Sequence, residues 1–187
     1  MIIRAADTVT APEKSADLSP DKLPTWALGD LYPGRDSAAL KQDLAHAEAD
    51  ARAFAEANRG RIAGLSGAEL GEAIAGYERI DERLSRLMSY AYLVYAEDMS
   101  DPANGRFLQT MQEKVTDISS DLLFFTLEIN RVADEALQAK LEAPGLMRYW
   151  PWLRDLRAFR PHQLSDELEK LLHEKQVAGR SAWVRLF

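Results

Sequence analysis

Apolar residues recur at helical spacing along most of the chain, which predicts long amphipathic helices and no strands. Ser37 is a residue type that caps helix N-termini, and Gly60 is a stop signal. We therefore predict a first helix from Ser37 to about Asn58. Its buried stripe consists of Leu40, Leu44, Ala47, Ala51 and Phe54.

A second, longer helix is predicted from about Gly67 to Ala96. Ser66 and Glu69 have the spacing of a capping box immediately before it. In its second half, bulky groups stand on several faces, so this part is expected to lie between neighbours or to line a groove. These groups are Met88, Tyr90, Tyr92, Leu93 and Tyr95.

The pattern breaks at residues 98–102 and resumes as a third long helix between Phe107 and Ile129. Two long helices joined by so short a break are expected to lie antiparallel. A short helix from Asp134 to about Leu141 follows, then a stripe of aromatic residues and arginines over 146–159. A last capped helix begins after Ser165. The fold class predicted is all-α, an antiparallel bundle of long helices.

The two ends of the chain differ in character. Residues 1–22 lack periodicity and predict a disordered N-terminal tail, so we assign the helical domain to residues 23–187. Trp26 is expected to anchor the start of that domain on the core. The apolar run 181–187 leads us to expect that the polypeptide continues beyond it. That continuation would cover Trp183, Leu186 and Phe187.

Composition excludes several classes of protein. The 187 residues are 47% hydrophobic, enough for a sizeable core, and include no cysteine for a disulfide or a thiolate site. A net charge of -7 opposes nucleic acid and anionic membranes, and no run has the length of a signal peptide or a membrane span. We expect a soluble, cytoplasmic protein with neither nucleic acid nor membrane as a partner.

The histidines do not form a metal-binding motif. A zinc peptidase motif places two histidines four residues apart with a glutamate next to the first, so that both face one metal. The nearest approach here is 173–177, His-Glu-Lys-Gln-Val, with valine in place of the second ligand. We therefore expect no catalytic, cofactor-binding or metal-ligating residue in this chain. His46 is expected to lie on the surface.

Three tyrosines are candidate peptide contacts. Tyr90, Tyr92 and Tyr95 could offer hydroxyls to a peptide lying in a groove beside the second helix. The alternative is that their rings are buried with a hydrogen-bonded edge.

Four stretches resemble the N-terminal region of oligoendopeptidase F and its thimet-oligopeptidase relatives. They are LPTWALGDLYPG (23–34), YAEDMSDPANGRFLQTMQEK (95–114), AFRPHQLSDELEKLLHEK (158–175) and GRSAWVRLF (179–187), and together they span residues 23–187. The first departs from the usual Trp-Asp-Leu-Ser-Asp-Leu-Tyr pattern at Ala27 and Gly29.

The resemblance implies the N-terminal lobe of a larger helical zinc metallopeptidase. Such enzymes cleave short peptides in a channel between two helical lobes, and the N-terminal helices form a wall or lid. It implies that zinc is bound in the full-length enzyme and not by this chain, and that a C-terminal catalytic domain is missing. The partners implied are that domain and an oligopeptide substrate, and the chain alone is expected to be inactive.

Two other interpretations stay open. In the first, the chain is a stand-alone helical interaction module that holds a partner helix with the faces 90–95 and 122–125. In the second, the arginines and aromatic residues of 148–160 bind RNA; the acidic balance and the helical spacing favour a core stripe with arginines extending to solvent.

Overall fold

The computed structural model describes residues 26–186 and consists of helices and their connections. Nine α-helical segments lie within this range: α1 Ala38–Asn58, α2 Gly67–Glu97, α3 Pro102–Ser120, α4 Leu123–Arg131, α5 Asp134–Lys140, α6 Pro144–Met147, α7 Trp150–Ala158, α8 Asp166–Lys175 and α9 Ala182–Leu186. The all-α prediction is thus confirmed. The predicted tail, residues 1–22, and Phe187 lie outside the described residues.

The starts of the two long helices are those that the sequence predicts. Ser37 Oγ accepts a hydrogen bond from the Leu40 amide at 3.4 Å and begins α1. At α2, Ser66 Oγ accepts from the Glu69 amide at 3.2 Å, and the Glu69 carboxylate accepts from the Ser66 amide at 2.8 Å. This capping box satisfies two backbone donors that a helix start leaves unpaired. It also holds the pKa of Glu69 below its usual value.

The predicted third helix is two helices. Ser119 and Ser120 hydroxyls both donate to the Thr116 carbonyl, and the chain tightens where the Asp121 amide donates to Ile118. Such local side-chain bonds compete with the helical ladder. Apolar periodicity continues across the break, so the prediction of one helix to Ile129 was wrong.

Two apolar clusters lie side by side along α2. The larger one packs α1, α2, α4 and α7 around Phe125, whose ring meets Phe54 at 5.0 Å and Tyr77 at 5.1 Å. The smaller one packs the second half of α2 against α3 and the chain start around Tyr32, Leu87 and Leu108. The long helix α2 therefore joins both clusters.

The anchor at the chain start is Tyr32, so the prediction for Trp26 was wrong. Trp26 is 55% exposed, whereas Tyr32 is 1% exposed. The Tyr32 hydroxyl donates to Asp43 Oδ2 at 2.7 Å, and the Arg86 guanidinium lies over its ring. These partners come from α1 and α2, and burial raises the pKa of Tyr32.

The aromatic stripe of residues 146–159 is only partly buried. Leu146, Tyr149 and Leu153 are core residues, but Met147 and Phe159 are exposed. Arg157 does not extend to solvent as predicted: its side chain is 11% exposed, and it donates to the Ile129 and Val132 carbonyls, both at 2.9 Å, and to Asp134. It thereby closes the C-terminal end of α4.

The helices after α7 rest on the surface of the bundle. No side chain of residues 154–186 is buried. They are held by polar contacts, chiefly Arg131 with Asp166 and the Ser119 hydroxyl with His173 Nε2 at 2.8 Å. A kink at Gly179 separates α8 from α9.

Candidate functional site

A groove on one side of α2 brings together two of the three candidate tyrosines. Tyr92 and Tyr95 both line a cavity of about 430 Å³, with Leu108 of α3 and Val184 of α9. Tyr95 also lines a neighbouring cavity of about 850 Å³. Because Tyr95, Met99 and Arg185 line both cavities, we describe them as one groove, called here the α2–α9 groove.

Tyr90 lies elsewhere. It is 3% exposed, and its ring packs edge-on against Tyr32 at 5.2 Å and Phe107 at 6.0 Å. Burial raises the pKa of its hydroxyl. Tyr90 therefore belongs to the smaller core cluster, with its ring buried as the alternative interpretation expected.

Helical geometry explains this separation. Tyr92 and Tyr95 are three residues apart and share one face of α2, while Tyr90 is two residues from Tyr92 and points away from it. Tyr92 is 61% exposed. Tyr95 is half-buried against α3, where a Cβ on Gly105 would lie 4.0 Å from its ring. The groove thus has one fixed ring and one exposed ring.

The remaining walls come from α3, from the connection after α2 and from α9. The floor includes Leu108, which is almost fully buried. The 98–101 connection borders the larger cavity, and Asp101 caps α3 by accepting from the Ala103 amide at 2.8 Å. The far wall is α9, where Arg185 donates to Gln112 Oε1 at 3.4 Å.

The sequence did not predict the charged part of this lining or the contribution of Met99. Met99 is exposed and borders both cavities, and three arginines extend into the groove: Arg106, Arg180 and Arg185. The helix break and the terminal run were visible in the sequence, but no spacing relates them to Tyr92.

The described residues do not supply a zinc site. Among residues 26–186, no three histidine, aspartate or glutamate side chains stand where they could share one metal ion. His46 is exposed on α1, as predicted, and His173 is hydrogen-bonded to Ser119. Val177, four residues after His173, has no donor atom. The donor set of this part of the chain therefore does not fit zinc.

The face proposed for an interaction module is not available as a whole. Leu122, Phe124 and Phe125 are buried in the larger core cluster, so residues 122–125 cannot hold a partner helix.

Within residues 26–186, no helix combines the length and apolarity needed to cross a lipid bilayer.

Comparison with known proteins gives two matches. Residues 128–187 match the N-terminal family model of the M3 peptidases that is described as Oligopeptidase F. The chain is also 30% identical over 183 residues to Oligopeptidase PepF of Bacillus subtilis (strain 168). That alignment covers 92% of this chain and 26% of the relative, so the chain spans about a quarter of the relative's length. No solved structure matches.

Proposed function

The two matches support an N-terminal oligoendopeptidase F region for this chain, and on that premise we propose that it is a substrate-binding lobe for short peptides. In this proposal the α2–α9 groove is part of the channel wall. The observation that carries it is the pairing of Tyr92 and Tyr95 on one face of α2, next to an apolar floor and an open cavity.

The groove has the chemistry that an extended peptide needs. Tyrosine rings provide apolar surface, and their hydroxyls can donate to and accept from a peptide backbone. Leu108, Val184 and Leu186 supply apolar contacts for side chains. Gln109 and Gln112 add amide groups along α3. Binding sites commonly combine a mostly apolar lining with a few convergent polar groups.

The chemistry of peptide hydrolysis is assigned to another part of the polypeptide. The relative is about four times as long as the matched region, consistent with a further C-terminal domain. Family membership makes zinc the expected cofactor there, where it would activate water. Since the described residues lack a zinc donor set, we propose that this chain alone binds peptides without cleaving them. A cytoplasmic location remains part of the proposal.

Peptide binding by the isolated chain tests the proposal. A fluorescein-labelled octapeptide would be titrated with protein and followed by anisotropy. We expect saturable binding, weakened by about tenfold in Tyr95→Ala because the Tyr95 ring lines both cavities of the groove. His46→Ala, on the exposed face of α1, is the control and should bind like the original chain.

Hydrolysis is measured on the same samples. Mass spectrometry after prolonged incubation with zinc should detect intact peptide only. Chelator-sensitive cleavage by the purified chain would contradict the assignment of the chemistry to another domain. A failure of every tested peptide to bind would contradict the proposed role of the groove.

A further inference from the structure

The α2–α9 groove carries positive charge on a chain whose net charge is -7. Arg106 lines the larger cavity, Arg180 lines the smaller one, and Arg185 lines both. Among the described residues, Asp101 is the one acidic side chain in either lining. Its carboxylate already caps α3 and lies 3.8 Å from Arg35. The lining therefore has three cations and one anion that is already paired.

These three arginines differ from most others in the structure. Within residues 26–186, none of the three lies within ion-pairing distance of a carboxylate. Nine arginines do form such pairs: Arg35, Arg52, Arg83, Arg86, Arg131, Arg148, Arg154, Arg157 and Arg160. Each guanidinium has five N–H donors, and Arg185 uses one of them on Gln112. The groove thus presents unused donors in a planar fork.

We propose that these arginines bind the C-terminal carboxylate of a short peptide held in the groove, a step that rests on the proposed function. A guanidinium binds a carboxylate through two parallel, charge-assisted hydrogen bonds. Every unblocked peptide ends in one carboxylate whatever its sequence. Recognition of that group therefore fixes the direction of the peptide without selecting its side chains, which would meet Tyr92, Tyr95 and Leu108.

A competition experiment separates this inference from peptide binding in general. The probe is an N-terminally fluorescein-labelled, neutral octapeptide with a free C-terminus. Unlabelled competitors share its sequence and end either in the acid or in the amide. We expect the acid to compete about tenfold better, the effect of one charge-assisted hydrogen-bonded pair.

A matched pair of double variants assigns the preference to the groove. R180Q/R185Q removes two of the three arginine charges from the lining and should bring the acid and amide competitors close to equal. R61Q/R79Q removes two charges from arginines that line neither cavity and have no ion pair among the described residues. This control should keep the tenfold preference. Circular dichroism verifies that both variants keep their helix content.

Each outcome has a definite meaning. Equal competition by acid and amide on the original chain, with the probe still bound, would overturn this inference and leave the proposed function standing. Loss of all peptide binding would contradict both this inference and the proposed function. A third competitor, amidated but with one internal glutamate, tests the source of the carboxylate. If it matched the acid, recognition of the terminus would be wrong.

Discussion

Two buried asparagines differ in whether their amide groups are satisfied. Asn104 Oδ1 accepts from Arg35 at 2.7 Å, and its Nδ2 donates to the Asp98 carbonyl at 2.9 Å. Asn130 is equally buried, but its Oδ1 has no partner among the described residues. Because a buried polar atom without a partner loses its hydration and gains nothing, the two residues should contribute very differently to stability.

We predict that Asn104→Leu lowers the free energy of unfolding by about 2 kcal/mol, since it removes the hydrogen bonds to Arg35 and to the Asp98 carbonyl. Asn130→Leu has a similar size change and should alter it by less than about 1 kcal/mol. Urea denaturation of both variants measures the difference. Equal losses of unfolding free energy in the two variants would contradict the stabilising role given to the two hydrogen bonds of Asn104.

Asp134 gives a pH-dependent prediction. The Arg157 hydrogen bond, helped by the charges of Arg157 and Arg160, holds the pKa of Asp134 below its usual value. A carboxyl with a lowered folded-state pKa stabilises the fold above its unfolded pKa of about 3.9, and that stability is lost as the pH falls through the folded value. Asp134→Asn should therefore be destabilising at pH 7.

When the pH is lowered from 7 to an acidic value at which Asp134 of the original chain is protonated, the same variant should approach the original chain in stability. Urea denaturation at the two pH values measures both differences. A gap between variant and original that widened on acidification would contradict the sign of this pKa shift.

The residue types along the chain predicted local features such as helix caps. They did not predict which residues meet across the fold. The capping residues Ser37 and Ser66 act through neighbours three positions away, so their roles were visible in the sequence. The choice between Trp26 and Tyr32 depended on Asp43 and Arg86, which come from other helices. No local pattern distinguishes two aromatic residues in one short segment.

At the scale of elements, α2 packs so closely against residues 140–146 that Gly67 and Gly71 have little room for a side chain. A Cβ on Gly67 would collide with the Lys140 carbonyl oxygen and would lie 2.8 Å from Ala143 Cβ. One on Gly71 would lie 3.1 Å from backbone atoms of Gly145. The small residues therefore set the distance between α2 and α6.

Gly71→Ala should lower the free energy of unfolding by about 1–3 kcal/mol, because backbone must shift to admit the methyl group. Gly76, in the same helix, has ordinary space beside Phe54 at 3.5 Å. Gly76→Ala should raise stability by about 0.5–1 kcal/mol through helix propensity. Thermal unfolding of the two variants measures whether their stabilities change in opposite directions. A stabilising Gly71→Ala would contradict the close packing of α2 on α6.

Element ends with explicit caps were predictable, whereas the break at Asp121 was not. Its cause is side-chain bonding to Thr116 within an unbroken apolar pattern. The short helix α6, beginning at Pro144, was not predicted either, although proline is compatible with the first turn of a helix.

At the scale of the molecule, the chain has a well-packed bundle and a loosely attached end. The buried residues belong to segments up to Leu153, and α8 and α9 lie on the outside through polar contacts. Segments with few buried apolar contacts open at low free-energy cost. If the groove binds peptides as proposed, the α9 wall is therefore the part best able to adjust to different sequences.

The groove itself could be predicted only in part. The face of α2 that carries Tyr92 and Tyr95 follows from helical spacing. The opposite wall comes from residues 180–186, about ninety positions later in the chain. The two walls come together because of how α8 and the kink at Gly179 are placed on α3. The hydrophobic periodicity of the sequence does not predict that placement.

The proposed role of the α2–α9 groove is tested most directly by locating a bound peptide. An octapeptide that carries a photoreactive phenylalanine analogue would be crosslinked to the chain, and the attachment sites mapped by mass spectrometry. If peptides bind in the α2–α9 groove, crosslinks should fall within 92–112 and 180–186. Saturable crosslinking confined to other surfaces, such as the exposed faces of α1 or α7, would contradict it.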